Sequence, residues 1–369
     1  MKITGIKTYK SSVPTGQNIL DPHTGQLLSS TTRPWLFLKI ETNEGITGWG
    51  EGSGEWLVPS VEATLHEWSC LLVDQDPLKV IALTEDITNR IPWKGGPVFG
   101  TAVAAINMAP RVYCGGNIFR SPEEAVSEAY RAIDQGYAGI KGNPLEDRTW
   151  PMDMSVVENC TRCVAAIREA VGSEFDILLD AHGSPTPELS VEFAHRVSVY
   201  QPLFLEEPVK VGSLEALMEV KQKSPVPIAT GEKLFTVRDF LPLINQRACA
   251  FLQPDTGHCF GIITMVEIAK NAEQAQMLMA PHMAAGPVLY AATLQADAVM
   301  NNFLIQETHS FTEFNRCIEH NWIIKDGYIN VSQDPGLGIK VKEEDISRFN
   351  YEPLSYRQYR HLDGSWKGW

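Results

Sequence analysis

Three short apolar runs in this chain each close on a carboxylate, and the three carboxylates are evenly spaced. Ile-Leu-Leu leads to Asp180, Leu-Phe-Leu to Glu206 and Ile-Ala-Thr-Gly to Glu232, each 26 residues after the last. That interval holds one strand, one helix and their loops. Parallel strands need such crossovers, and successive strands of a parallel barrel end at one mouth. The spacing therefore restricts the chain to a fold built of repeated βα units, with three side-chain oxygens converging at one end. Hard oxygen ligands of this kind suit Mg²⁺, which keeps its other positions for water and substrate oxygens.

The surrounding pattern agrees. From Arg111 onward, short apolar runs alternate with amphipathic stretches, as parallel βα units require. Candidate strands are 111–114, 137–141, 175–180, 203–206, 227–230, 249–253, 276–280 and 303–306. Helices are expected to begin near Ser121, Met154, Pro187, Ser213, Val237, Gly261 and Pro287. Eight strands with seven intervening helices make a (β/α)₇β barrel, a modified TIM barrel of the α/β class, spanning 110–325. Residues 1–109 read as an α+β capping domain. Lys2 to Ile6 and Trp35 to Glu41 have strand character, Asn43-Glu44-Gly45 marks a tight turn, and 60–108 read as mainly helical. Beyond residue 326 the chain turns polar and is expected to pack back on the capping domain.

At 369 residues, one large barrel plus a smaller unit is the natural division. The net charge of −14, with no Lys/Arg-rich block to offset it, argues against nucleic-acid or anionic-membrane partners. No apolar run approaches the ~20 residues of a membrane span, and the N-terminus lacks a signal-peptide core, so the expectation is a cytoplasmic protein. The seven cysteines are scattered, which suits reduced thiols. Cys160 and Cys163 form the one close pair, and within a helix-like stretch they read as two thiols one turn apart.

Several further residues fall at strand ends. Asp255 follows the sixth strand and His282 the seventh, within reach of each other; a carboxylate beside an imidazole orients the ring and raises its basicity, as a general base requires. Glu307 closes the eighth strand. Lys141, at the second, is the one cation the pattern places there. In Glu206-Glu207-Pro208 the second carboxyl should point away from the first, because neighbouring strand residues face opposite ways. His182, two residues past Asp180, returns to the same face; it can be a substrate-facing acid, an additional ligand or a helix cap.

Such a ring supports a specific chemistry. The proton next to a carboxylate is weakly acidic, because ionising it adds a second negative charge to the same group. A divalent ion and a nearby lysine offset that charge. His282 can then take the α-proton, and if a hydroxyl on the next carbon is protonated as it departs, water is lost.

The ordered set Asp180, Glu206, Glu232, Asp255, His282 and Glu307, behind an α+β cap, resembles the mandelate racemase branch of the enolase superfamily, and within it the acid-sugar dehydratases. The phrases that carry the likeness run almost end to end: Trp93-Lys94-Gly95-Gly96-Pro97, Lys141-Gly142-Asn143, Asp180-Ala181-His182-Gly183, Phe204-Leu205-Glu206-Glu207-Pro208-Val209, Gln253-Pro254-Asp255, Ala280-Pro281-His282 and Pro335-Gly336-Leu337-Gly338. The resemblance implies one Mg²⁺ per subunit held by Asp180, Glu206 and Glu232, with His282 as base tuned by Asp255. It further implies His182 as the acid, Glu307 as a stabiliser of the enediolate, Lys141 and Asn143 in contact with a small-molecule acid sugar, and a homo-oligomer. Racemases of this branch carry a second lysine where this chain has Asn143, which favours dehydration over racemisation. The alternatives are a racemase or epimerase, and an inactive homologue with a binding role.

Two departures from the family pattern stand out. Ser184 replaces an arginine, and Met108-Ala109 runs directly into Pro110-Arg111, where the family has a helix and linker. Substrate choice would rest on the loop 14–32 and the segment 50–56. His23 and Trp56 lie there, although each reads first as an ordinary loop residue.

Overall fold

The structure, a computed structural model, describes residues 1–14, 19–20, 27–29, 32–54, 57–77, 96–104, 113–116, 118–145, 154–308, 311–332 and 334–352, with positions 79, 83, 86, 87 and 90. His23, Trp56, Trp93 to Gly95 and the junction at 108–112 lie outside the described residues. Of the loop 14–32, the interior described is the antiparallel pairing of Ile19–Leu20 with Leu27–Ser29.

The N-terminal unit is a three-stranded antiparallel sheet of β1 (Ile3–Pro14), β2 (Thr32–Thr42) and β3 (Thr47–Glu51), in that order. The turn between β2 and β3 contains Gly45 at φ 74°, a conformation glycine adopts without steric cost. Helices α1 (Val58–Leu72) and α2 (Gly96–Ala104) lie against one another. The run Trp35-Leu36-Phe37-Leu38 is buried on both faces because β2 serves two cores. Leu36 and Leu38 pack with Val58, Val61 and Leu65 inside the unit, whereas Trp35 and Phe37 join the core of the barrel. One apolar strand thus fastens the two units, since its alternating side chains point to opposite faces.

Eight parallel strands follow: β4 (Tyr113–Gly115), β5 (Gly139–Gly142), β6 (Asp176–Asp180), β7 (Phe204–Glu206), β8 (Ile228–Thr230), β9 (Phe251–Leu252), β10 (Leu278–Met279) and β11 (Glu307–Thr308). Seven helices connect them: α3 (Pro122–Asp134), α4 (Met154–Val171), α5 (Pro187–Val197), α6 (Leu214–Lys223), α7 (Val237–Gln246), α8 (Ile262–Gln274) and α9 (Pro287–Asp297). Several of the expected starts coincide with caps: Ser121, Thr186, Ser213 and Thr236 each accept a first-turn N–H. The sheet closes through the last segment. Glu307 pairs with Tyr113 of β4, and Phe303 bridges to Met279 of β10. The sequence places the eighth strand at 303–306; its pairing with β4 begins at Glu307, while on the other side the Leu304 N–H donates to the Met279 carbonyl at 2.8 Å.

Leu178, Phe204, Ala229, Phe251, Ala280 and Ile305 form a cluster of their own, separate from the layer between strands and helices, and fill the barrel interior. The tail lies against β1: Ser11 Oγ donates to the Ile346 carbonyl (2.6 Å) and the Glu352 N–H to Ser12 Oγ (2.7 Å). Among the described residues, no helix is long and apolar enough to cross a membrane.

Candidate active site

The interior cluster explains which side chains reach the mouth. Counting in twos from Leu178 gives Asp180, from Phe204 gives Glu206, from Phe251 gives Asp255, from Ala280 gives His282 and from Ile305 gives Glu307. Glu232 departs from this count. Ala229 faces inward, so strict alternation would turn Glu232 outward. Gly231, at φ 146° and with its Cα so close to β9 that an added Cβ would sit 2.9 Å from the Gln253 nitrogen, redirects the chain and brings Glu232 in.

All nine residues expected at the site lie at the mouth. Lys141 Nζ sits 3.0 and 3.2 Å from the two Glu206 oxygens, 3.0 Å from Glu307 Oε1 and 3.4 Å from Asp180 Oδ2. His282 Nδ1 donates to Asp255 Oδ2 at 2.8 Å, and Asp255 Oδ1 accepts the Gly257 N–H at 2.7 Å. The other ring nitrogen of His282, Nε2, lies 3.7 Å from Glu232 Oε2 and 3.9 Å from Glu307 Oε2. Asn143 Nδ2 meets His182 Nδ1 at 2.8 Å, and His182 Nε2 lies 3.3 Å from Asp180 Oδ2.

Two residues at the mouth escape a reading of strand ends. Lys233 adds a second cation beside Lys141: its Nζ pairs with Glu207 and lies 3.3 Å from Glu232 Oε1. It follows Gly231, where the break in the strand count hides it from a reading by alternation. His258 donates from Nδ1 to the Glu232 carbonyl at 3.1 Å and stacks on His282 with ring centroids 6.3 Å apart. It sits in the turn after Asp255, where sequence pattern offers no cue. Glu207 is buried at φ 41°, so it stays at the rim and ties β7 to the loop after β8 through Lys233.

Among the described residues, buried carboxylates at the mouth outnumber the lysines beside them. Burial, then the neighbouring Asp180, pushes the Glu206 carboxyl well above its ordinary range, against the pull of Lys141. Burial and then Glu232 push Glu207 up to about 8 despite Lys233. Burial acts the same way on Asp255 and Glu232, but is outweighed: His258 and His282 hold Asp255 down at about 2, and His282 and Lys233 hold Glu232 below its usual value. His282 is buried, which disfavours its charge, yet Glu232 and the Asp255 hydrogen bond raise it well above an ordinary histidine. Glu232 Oε2 is buried and makes no hydrogen bond. Asp180, His182 and Glu232 each offer a ligand atom within 4.8 Å of the others, while Glu206 beside them is turned to Lys141. Crowded, buried carboxylates with an unpartnered oxygen are what a small divalent cation binds.

A carboxylate cluster and a His–Asp pair at the strand C-termini of a (β/α)₇β barrel define an enzyme of the enolase type. Residues 124–346 match the family described as enolase C-terminal domain-like, and residues 10–111 match the mandelate racemase / muconate lactonizing enzyme N-terminal domain. The chain belongs to the mandelate racemase / muconate lactonizing enzyme family of the enolase superfamily. It is 31% identical to D-galactonate dehydratase of Variovorax paradoxus (strain S110), over 91% of this chain and 96% of that protein. It is 30% identical to D-galactonate dehydratase of Cronobacter sakazakii (strain ATCC BAA-894), over the full length of both. Its fold is also that of an enolase from Agrobacterium radiobacter solved with bound Na and L-malate, at 23% identity and TM-score 0.86, covering 99% of each chain.

Proposed function

We propose that this chain is a hydro-lyase that dehydrates an acid sugar, with D-galactonate as substrate and Mg²⁺ as cofactor, to a 2-keto-3-deoxy acid. The observation that carries the reading is the pair of differently wired histidines at one mouth. His282 donates from Nδ1 to Asp255, so Nε2 is the nitrogen that exchanges protons with substrate; a cation bound at Glu232 would offset the charge that raises the ring's proton affinity and free Nε2 to accept. With the Asn143 amide turned so that its oxygen meets His182 Nδ1, the protonated ring is held on one side and its Nε2–H is left to donate. One is set as base and the other as acid.

Asp180, Glu206 and Glu232 would hold the ion. The chemistry it supplies when bound is electrostatic, offsetting the second negative charge that grows on the substrate carboxylate as the neighbouring carbon loses its proton. Lys141, already among Asp180, Glu206 and Glu307, adds to that compensation. His282 Nε2 takes the α-proton, and the electron pair of that C–H bond forms a carbon–carbon double bond. The β-carbon–oxygen bond breaks, and protonated His182 gives its Nε2 proton to the departing hydroxyl, which leaves as water while the ring returns to neutral. The resulting enol becomes the keto acid by tautomerising. Asn143, where racemases of this branch place a second lysine, offers no second base of that kind.

The test is purified protein with Mg²⁺ against a panel of aldonates and aldarates, with 2-keto acid read by semicarbazide absorbance. Product from D-galactonate is expected; no product from any acid sugar removes the reading. His282→Asn should abolish both turnover and α-proton exchange in D₂O, and exchange that persists in that variant removes His282 as the base.

A further inference from the structure

Helix α9 begins five residues after His282, and its first turn is capped from the other domain. Its N-cap is Gly286, which has no side chain to offer, and Pro287 at the first helical position has no N–H. The remaining first-turn donors go to one carboxylate, Glu51, the last residue of β3. Gly286 N–H reaches Glu51 Oε1 at 2.6 Å, and the Val288 and Leu289 N–H groups reach Oε2 at 2.9 and 3.1 Å. Glu51 is fully buried, and α9 is buried along nearly its whole length. Water therefore cannot replace the cap, and a carboxylate also suits the positive end of the helix dipole. The fit is close: a Cβ on Gly286 would lie 2.5 Å from Glu51 Oε1.

Two backbone N–H groups of the segment between His282 and this cap also meet carboxylates. Met283 N–H donates to Glu307 Oε2 at 3.2 Å and Ala284 N–H to Asp255 Oδ2 at 3.4 Å. Two of its three anchors belong to the site itself, and the third belongs to the capping domain.

We infer that Glu51 is a positioning residue, through which docking of the capping domain sets the loop that carries His282. This rests on His282 acting as the base. Cap and base are thereby linked by one side chain, without contact between Glu51 and the reacting atoms.

The test uses the full chain with Mg²⁺, comparing wild type with Glu51→Gln, which keeps size but replaces one acceptor oxygen with a donor. Amide hydrogen exchange over 283–290 should speed at least tenfold while the peptides of β6 to β8 keep their wild-type rates. On the substrate found for the wild type, kcat should fall about ten- to a hundredfold with KM within about twofold, because alignment rather than binding is lost. Gly286→Ala, which crowds Glu51 Oε1 without removing the carboxylate, should do the same, and the double variant should lose little more than either single one. Wild-type kcat in Glu51→Gln overturns the inference, as does unchanged exchange over 283–290 or a loss spread evenly through the barrel. If the first variant does not fold, Gly286→Ala carries the same three readouts. Wild type inactive on every acid sugar removes the proposed reaction instead, and exchange over 283–290 then still decides whether Glu51 holds the loop.

Discussion

Asp255 and His282 are joined by a 2.8 Å hydrogen bond between consecutive strand ends, with the carboxylate fully buried and the ring at the edge of the mouth. The bond fixes which ring nitrogen can accept a proton. Asp255→Asn should therefore leave the fold intact and lower kcat by about a hundredfold or more, since an amide can stabilise the wrong tautomer. A variant with wild-type kcat would show that the pair does not tune the base.

The neighbouring His258, together with the His282 bond, also makes stability depend on acid. With the folded carboxyl held at about 2, below its ordinary value, the stabilisation is present above the unfolded range and is lost as pH falls from about 4 through 2. Its size is on the order of 2 kcal/mol. Urea unfolding of wild type and Asp255→Asn across that window should show a steeper decline for wild type. Parallel declines would assign acid sensitivity to other groups.

Lys141 is the counter-charge to Asp180, Glu206 and Glu307. In metal-free protein, Lys141→Met leaves buried carboxylates without their ammonium, a loss of roughly 3–5 kcal/mol. Mg²⁺ should offset part of it, so the melting temperature should rise more on adding Mg²⁺ in the variant than in wild type. Equal shifts in the two proteins would mean that lysine and metal do not share these carboxylates.

The barrel was legible because its determinants are local and repeated: short apolar runs alternating with amphipathic stretches, and helix starts such as Ser121 and Ser213. Asp180, Glu206, Asp255, His282 and Glu307 were legible for the same reason, as each continues the inward count of its strand. Lys233 and His258 were not, because a positive-φ glycine and a turn carry them to the mouth. Glu51 was hidden more deeply. Its partner amides lie 235 residues away and more, and no local pattern announces a cap donated by another domain.

Gly231 is the point where strand periodicity is broken to bring Glu232 inward. Alanine there meets both the positive φ and the Gln253 backbone, so Gly231→Ala should cost roughly 1–3 kcal/mol. It should also weaken Mg²⁺ binding, because Glu232 is displaced with the backbone. Calorimetric titration with Mg²⁺ alongside thermal melting checks both; wild-type affinity in the variant would detach Glu232 from the ion.

The cysteines allow a test of the packing that does not involve the site. All seven are free, and Cys70 alone is exposed. Cys160 and Cys163 lie buried one turn apart on α4, and burial pushes the thiols of Cys114, Cys249 and Cys317 up to about 12 and that of Cys163 to about 11. A thiol attacks as its thiolate, so groups both buried and held protonated should be inert at neutral pH. Native protein should therefore react rapidly with Ellman's reagent at one thiol per chain and, once unfolded, at seven. Rapid reaction at a second thiol, mapped to α4 by peptide mass, would mean that the helix does not seat Cys160 and Cys163 against the barrel as described.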